Sequence, residues 1–297
     1  MLSGIERDAP SPSAPRILLT FGQGDCSRPS LVRTFQLARS LGAAIDVLRV
    51  LPNPLRWLRW LPKSMLQALV KRQLQRSRET VRATRYQLAP VYEDEPRPGQ
   101  VVVRSGSFIA EVAAHASRRD PALIVVSADQ RRLGALATEL ALASMRRILV
   151  PRAASRRRTI LAASDLATRG LPVIREATRL ASPLRMELVS FHNVDPLSDP
   201  DAETGPEPAR RRSLPERMER ARESLSMSGT AAVRTGVDHA AAIVAEAQES
   251  QADLIVVGVK QRSRLERLIH GSVAAQVVER APCSVLVAPI AATGGQY

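Results

Sequence analysis

Residues 252–289 read ADLIVVGVKQRSRLERLIHGSVAAQVVERAPCSVLVAP. Leu254, Ile255, Val256 and Val257 form an apolar, β-branched run, followed by Gly258 and a polar loop. Gly271 and Ser272 then open a helical pattern, and Val285, Leu286 and Val287 make a second apolar run. Strand, loop, helix and strand in that order are how an α/β domain presents helix-terminal N–H groups to an anion.

Working outward, an internal repeat emerges. Val103-Arg104-Ser105-Gly106 is echoed by Val233-Arg234-Thr235-Gly236, and Leu123-Ile124-Val125-Val126 by Leu254-Ile255-Val256-Val257. Between the matches lie Ile109, Val112, Ala113 and Ala116 in one copy and Ala240, Ile243, Val244 and Ala247 in the other, at helical spacing. The repeated unit is therefore β-α-β. In the first copy, strands are expected at 17–21, 44–50 and 101–104. A helix carries Leu31, Phe35, Ala38 and Leu41 and is closed by Gly42, and a long helical region spans 61–88. In the second, strands are expected at 159–163, 187–191 and 232–234, with an acidic, Pro-rich loop over 193–208 and a helix over 214–227. Alternating short apolar strands and helices predict parallel, doubly wound sheets, two of five strands each. The join falls at PRAASRRR, 151–158, read as a solvated linker with nucleic-acid contact by the Arg run as the alternative.

Composition narrows the classes. A chain of 297 residues with 44% hydrophobic residues has material for two cores, built from Ala, Leu, Val and Ile because aromatics are only 3%. Lys plus Arg is 43 against 29 for Asp plus Glu, a net charge of +14, which suits a polyanion or an anionic membrane surface or else solvated helix faces. Cys26 and Cys283 make neither a disulfide framework nor a metal spacing. The stretch LRWLRWLPKSMLQALVKRQLQRSRETVRATRYQL, residues 55–88, reads as a sheet-covering basic helix, with a membrane-surface helix as the alternative. No apolar run is long enough to cross a bilayer, and residues 1–15 lack an apolar signal core, so a cytoplasmic location is expected.

The opening stretch resembles the C-terminal signature of the universal stress protein family, which reads Gly, two residues, Gly, nine residues, Gly, Ser or Thr, then a helix and a Pro-x-Val-Leu-Val strand. Gly258, Gly271 and Ser272 fall at the matching spacing, and Ala281-Pro282-Cys283-Ser284-Val285-Leu286-Val287 matches the end. Gln261 stands where the family has its middle glycine. The resemblance implies a tandem, two-copy member: a disordered tail at 1–15, a degenerate domain at 16–151 and a nucleotide-binding type of domain at 158–290. Each would be a five-stranded sheet of order 3-2-1-4-5, the two forming an intramolecular pseudo-dimer in a monomer or homodimer.

In open α/β sheets the ligand crevice lies beyond the carboxyl ends of the strands. In the family it holds an adenine nucleotide. Carried over by position, Asp165 matches the aspartate after strand one. Asn193, after His192, matches the adenine neighbour, while Gly258, Gly271, Ser272 and Val273 match the phosphate cradle, with Lys260 beside it. Each residue also has a plainer reading: Asp165 as a helix cap, His192 as a satisfied strand-end histidine, Gly271-Ser272 as a turn and N-cap. Gln261 opposes the nucleotide, because a Cβ in left-handed geometry costs on the order of 1 to 2 kcal/mol and its side chain would fill phosphate space.

The first copy carries Gly22 where the second has Asp165, and Ser127 and Gln130 where glycines are needed. Its interval from strand four to strand five is six residues shorter. The expected function is thus a stress-response or regulatory module binding ATP, another adenine nucleotide or a related small ligand through the C-terminal copy. The alternative is a ligand-free tandem scaffold whose basic surface engages a protein, nucleic acid or membrane. No catalytic or metal-binding constellation is present, so no enzyme activity is expected, weak ATP hydrolysis included.

Overall fold

The computed structural model describes residues 14–22, 26–52, 98–127, 133–153, 157–166, 171–197, 213–226, 230–260 and 273–290, together with isolated helical positions at 65, 75, 79, 82 and 83. Gln261, Gly271, Ser272, residues 1–13 and most of the stretch 55–88 lie outside the described residues. The chain divides into two compact units, Met1–Asp129 and Gln130–Tyr297.

The first unit contains β1 (Arg16–Phe21), α1 (Arg28–Leu41), β2 (Ala44–Leu51), β3 (Pro98–Ser105), α2 (Phe108–Arg119) and β4 (Leu123–Val126). Its strands are parallel in the order β3-β2-β1-β4. Ile17, Leu18, Leu19 and Phe21 of β1 are all buried, as are Leu123 to Val126 of β4, because both faces of a parallel sheet are covered. Ser27 caps α1 through its hydroxyl at 3.4 Å from the Ser30 N–H, and Gly42 ends it in the left-handed region as its sequence position predicts. β2 contributes a buried charge. Asp46, 2% exposed, accepts from Arg16 Nη1 at 3.2 Å through both carboxylate oxygens, from Arg119 Nη2 at 3.3 Å and from the Gln100 N–H at 3.0 Å. One carboxylate thereby ties β1, β2, β3 and α2.

The second unit contains α3 (Leu133–Ser144), β5 (Ile148–Val150), β6 (Thr159–Ala163), α4 (Leu171–Leu184), β7 (Glu187–Val194), α5 (Leu214–Ser226), β8 (Thr230–Thr235), α6 (His239–Glu249), β9 (Leu254–Lys260), α7 (Val273–Arg280) and β10 (Ser284–Ile290). The second copy shows the expected order 3-2-1-4-5 as β8-β7-β6-β9-β10, all parallel. β5, the fifth strand of the first copy, runs antiparallel to β10, with Val150 opposite Val285 and Ile148 opposite Val287. This antiparallel pair joins the fifth strands of the two copies, which the sequence reading placed in separate parallel sheets. Equivalent strands of the two copies pair with each other, and so do equivalent helices: a Cβ on Gly134 of α3 would lie 2.1 Å from the Ala275 carbonyl oxygen of α7. That close approach admits only a glycine, and it lets the Gly134 N–H donate to Glu279 Oε1 at 2.8 Å.

Two further expectations change. β7 extends to Val194 and β9 to Lys260, each three residues beyond the sequence reading, because β8 pairs through Thr235↔Val194 and β10 through Ile290↔Lys260. Gly258 is therefore a strand residue, not a loop residue. Within the expected solvated linker, Arg152 is anchored: its Nη2 donates to the Val278 carbonyl at 2.6 Å and its N–H to Ser284 Oγ at 3.1 Å. Among the described residues no helix is long and apolar enough to cross a membrane, and no cluster of His, Cys, Asp and Glu suits a metal ion.

Candidate functional site

The parallel strands of the second unit bring the carboxyl ends of β6, β7 and β9 to one edge, where a cleft of about 790 Å³ opens. β6 delivers Ala163, Ser164 and Asp165; β7 delivers Phe191, His192 and Asn193; β9 delivers Val257 to Lys260. Helices complete the walls: Val173 of α4, His239 and Ile243 of α6, the first turn of α7 from Val273 to Ala275, and one face of α3 that includes Thr138, Glu139 and Leu142. The body is apolar and the polar groups gather near the strand ends, an arrangement typical of small-ligand sites.

Local geometry fixes each polar group. The Ser164 N–H donates to the Phe191 carbonyl at 2.9 Å, while its hydroxyl accepts from the Leu166 N–H at 3.1 Å. Leu166 takes φ of 56°, a left-handed conformation costing a non-glycine residue about 1 to 2 kcal/mol. His192 Nδ1–H donates to the Ser164 carbonyl at 2.8 Å, which leaves Nε2 as an acceptor. Burial pulls the His192 imidazole below its ordinary value, outweighing the raising effect of the Ser164 hydrogen bond, so the ring is neutral near pH 7. The Asn193 amide donates to the Gly236 carbonyl at 2.6 Å and to His239 Nδ1 at 2.8 Å; its buried Oδ1 has no partner among the described residues. Lys260 and Asp165 form an ion pair from the end of β9 to the end of β6, with side chains 32% and 44% exposed.

The sequence-derived residues Asp165, Asn193, Gly258, Lys260 and Val273 are thus brought to one cleft. Asp165 holds a lysine. A Cβ on Gly258 would sit 2.3 Å from Ile290 Cδ1 and 2.9 Å from Val173 Cγ2, and its φ is not positive, so side-chain packing alone accounts for glycine there. Gln261, Gly271 and Ser272 lie outside the described residues. Sequence reasoning missed His239 and the α3 wall. His239 carried a faint signal, since it follows the N-cap Asp238, whose carboxylate accepts from the Ala241 N–H at 3.0 Å. α3 carried none, because by sequence it belongs to the other copy.

The corresponding positions of the first unit are filled differently. Strand registers equate Gly22 with Asp165, Arg49 with His192 and Val50 with Asn193. Arg49 Nε donates to the Gly22 carbonyl at 3.3 Å and its guanidinium lies 5.3 Å from the Phe21 ring centroid. A buried arginine occupies the place of the imidazole, and Val50 cannot hydrogen-bond where Asn193 does.

Residues 156–289 match the family model described as the universal stress protein family. No curated protein matches the chain. Among solved structures, a universal stress protein from Archaeoglobus fulgidus DSM 4304 is 16% identical with a TM-score of 0.64, the match covering 93% of this chain and 99% of that one. A functionally unknown protein from Pseudomonas aeruginosa PAO1 is 17% identical with a TM-score of 0.59, covering 94% of each chain. These likenesses establish the fold over nearly the whole length.

Proposed function

Residues 156–289 form a universal stress protein domain, and from that premise we propose that the chain is a regulatory module that binds an adenine nucleotide or a related small ligand in the cleft of its second unit, without turning it over. The observation that carries this reading is the cleft itself, at the carboxyl ends of three parallel strands with the first turn of α7 in its wall. That is where an open α/β sheet accommodates a ligand, and a helix N-terminus adds unpaired N–H groups and a favourable dipole for an anion.

Three side chains have defined roles in this reading. The Lys260–Asp165 pair exchanges partners on binding, Asp165 toward ligand hydroxyls and Lys260 toward an anionic group. His192 Nε2 offers an acceptor at the polar end. Phe191, Ile243 and Val257 supply apolar contact for a flat ring.

The test is equilibrium binding of ATP, ADP, AMP and adenosine to the full chain, beside the Asp165→Asn and Ser272→Ala variants. Micromolar binding to the wild type, weakened tenfold or more in Asp165→Asn, is expected. No uptake at millimolar ligand sinks the reading.

A further inference from the structure

Helix α3 and strand β5 complete the first copy in sequence, yet α3 forms a wall of the second copy's cleft. Its position is fixed rather than incidental. The Gly134–Ala275 backbone contact and the Gly134 N–H bond to Glu279 lock it against α7, the helix whose first turn also lines the cleft. From this wall Leu142 adds apolar surface. Thr138 is internally satisfied, its hydroxyl donating to carbonyls of its own helix at 3.0 Å. Glu139 differs: it is exposed, lines the cleft and has no hydrogen-bond or ion-pair partner among the described residues.

The charges of the described lining are those of Glu139, Asp165 and Lys260, two carboxylates against one ammonium whether the Lys260–Asp165 pair is closed or opens on binding. A polyphosphate entering the cleft therefore meets an unneutralised carboxylate, whereas a neutral ligand with hydroxyl or amino donors gains an acceptor. We propose that α3 is the specificity wall of this cleft, and that Glu139 on it favours a neutral nucleoside-like ligand over a polyphosphate. The inference rests on the cleft being the ligand site, as read above, and adds which element selects the ligand. The first copy then contributes to binding at the second copy's site through its last helix, while in its own sheet Arg49 stands where the second copy has His192.

The experiment compares the full-length chain with Glu139→Lys, Glu139→Gln and Leu142→Trp, all checked for unchanged helical content. Calorimetric binding of adenosine and ATP is measured at low ionic strength. The wild type is expected to bind adenosine at least as tightly as ATP. Glu139→Lys should move the ratio of the two dissociation constants toward ATP by about fivefold, an effect that fades as salt rises. Glu139→Gln should move it less in the same direction, and Leu142→Trp should weaken both ligands. A wild type that prefers ATP, or a ratio unmoved by Glu139→Lys, overturns the proposal.

If neither ligand binds, the nucleotide reading fails separately, and the anionic apolar dye anilinonaphthalenesulfonate decides the wall. Dye uptake that rises in Glu139→Lys and falls in Leu142→Trp supports it. Uptake that is absent, or equal in all variants, overturns it.

Discussion

At Gly258 the β9 backbone passes beneath Ile290 and Val173, and the family pattern and the packing give that glycine different jobs. If it serves phosphate approach, Gly258→Ala weakens nucleotide binding and leaves stability alone. If it serves packing, the new methyl displaces Ile290 Cδ1, which can swing, and presses on Val173 Cγ2, which is stiff. We expect the second outcome: a loss of about 1 kcal/mol in denaturant unfolding, recovered in large part by Ile290→Val in the same chain, which removes only the displaced Cδ1, with ligand affinity moved less than stability. His192 makes a prediction in pH. Its native value is lowered by burial, so the unfolded chain binds more protons than the native one in the window between that value and the ordinary one of about 6.5. Stability therefore rises with pH through the window, is lost as pH falls through it, and no longer depends on this ring below it. His115, lowered first by burial as well, acts with the same sign. The melting temperature should drop between neutral and mildly acidic pH, and His192→Gln should make that drop shallower. An unchanged slope would show that the ring is not buried neutral.

Elements show where a sequence stops being readable. β6 at Thr159–Ala163 and the cap at Gly42 were legible, because a β-branched run and a terminal glycine are local signals. The ends of β7 and β9 were not. Asn193, Lys260 and Gly258 look like loop residues, and they join strands because partners β8 and β10 reach alongside them, which is information held outside the segment. Arg152 is a second case. In a run with Arg156, Arg157 and Arg158 it reads as solvated charge, yet its guanidinium donates to the Val278 carbonyl in the last turn of α7. A cation at a helix C-terminus satisfies an orphan carbonyl and opposes the negative end of the dipole. Arg152→Ala should lower stability by about 1 kcal/mol in thermal or denaturant unfolding, with Arg152→Lys intermediate because it keeps the charge without the fork. Equal stability of Arg152→Ala and wild type would return this residue to the solvated linker.

On the scale of the whole chain, the duplicated β-α-β pattern was enough for the architecture, since each copy repeats the same apolar runs. It was not enough for the site, because one wall crosses from copy to copy and three of the cradle residues, Gln261, Gly271 and Ser272, lie outside the described residues. The excess of basic residues also takes on a different meaning. Arg16 and Arg119 hold Asp46, Arg147 holds Glu176, Arg234 holds Glu246, and Arg280 holds Asp238, so part of a charge that suggests polyanion binding is internal structure. The Asp46 cluster is the most consequential of these. Its carboxylate is almost fully buried, and its removal would leave the Gln100 N–H and two partly exposed guanidinium groups without their acceptor. Asp46→Ala is therefore expected to cost about 2 to 3 kcal/mol, more than the exposed Asp238→Ala, and Asp46→Asn somewhat less because the amide oxygen still accepts from Gln100. The cost should appear in the unfolding of the first unit and should be followed by circular dichroism in denaturant. Every residue lining the cleft lies between Ala135 and Ile290, in the second unit, so ligand affinity measured below the Asp46→Ala transition should stay within about twofold of wild type. A variant that melts early and has also lost binding while folded would mean that the cleft depends on the first unit's buried charge.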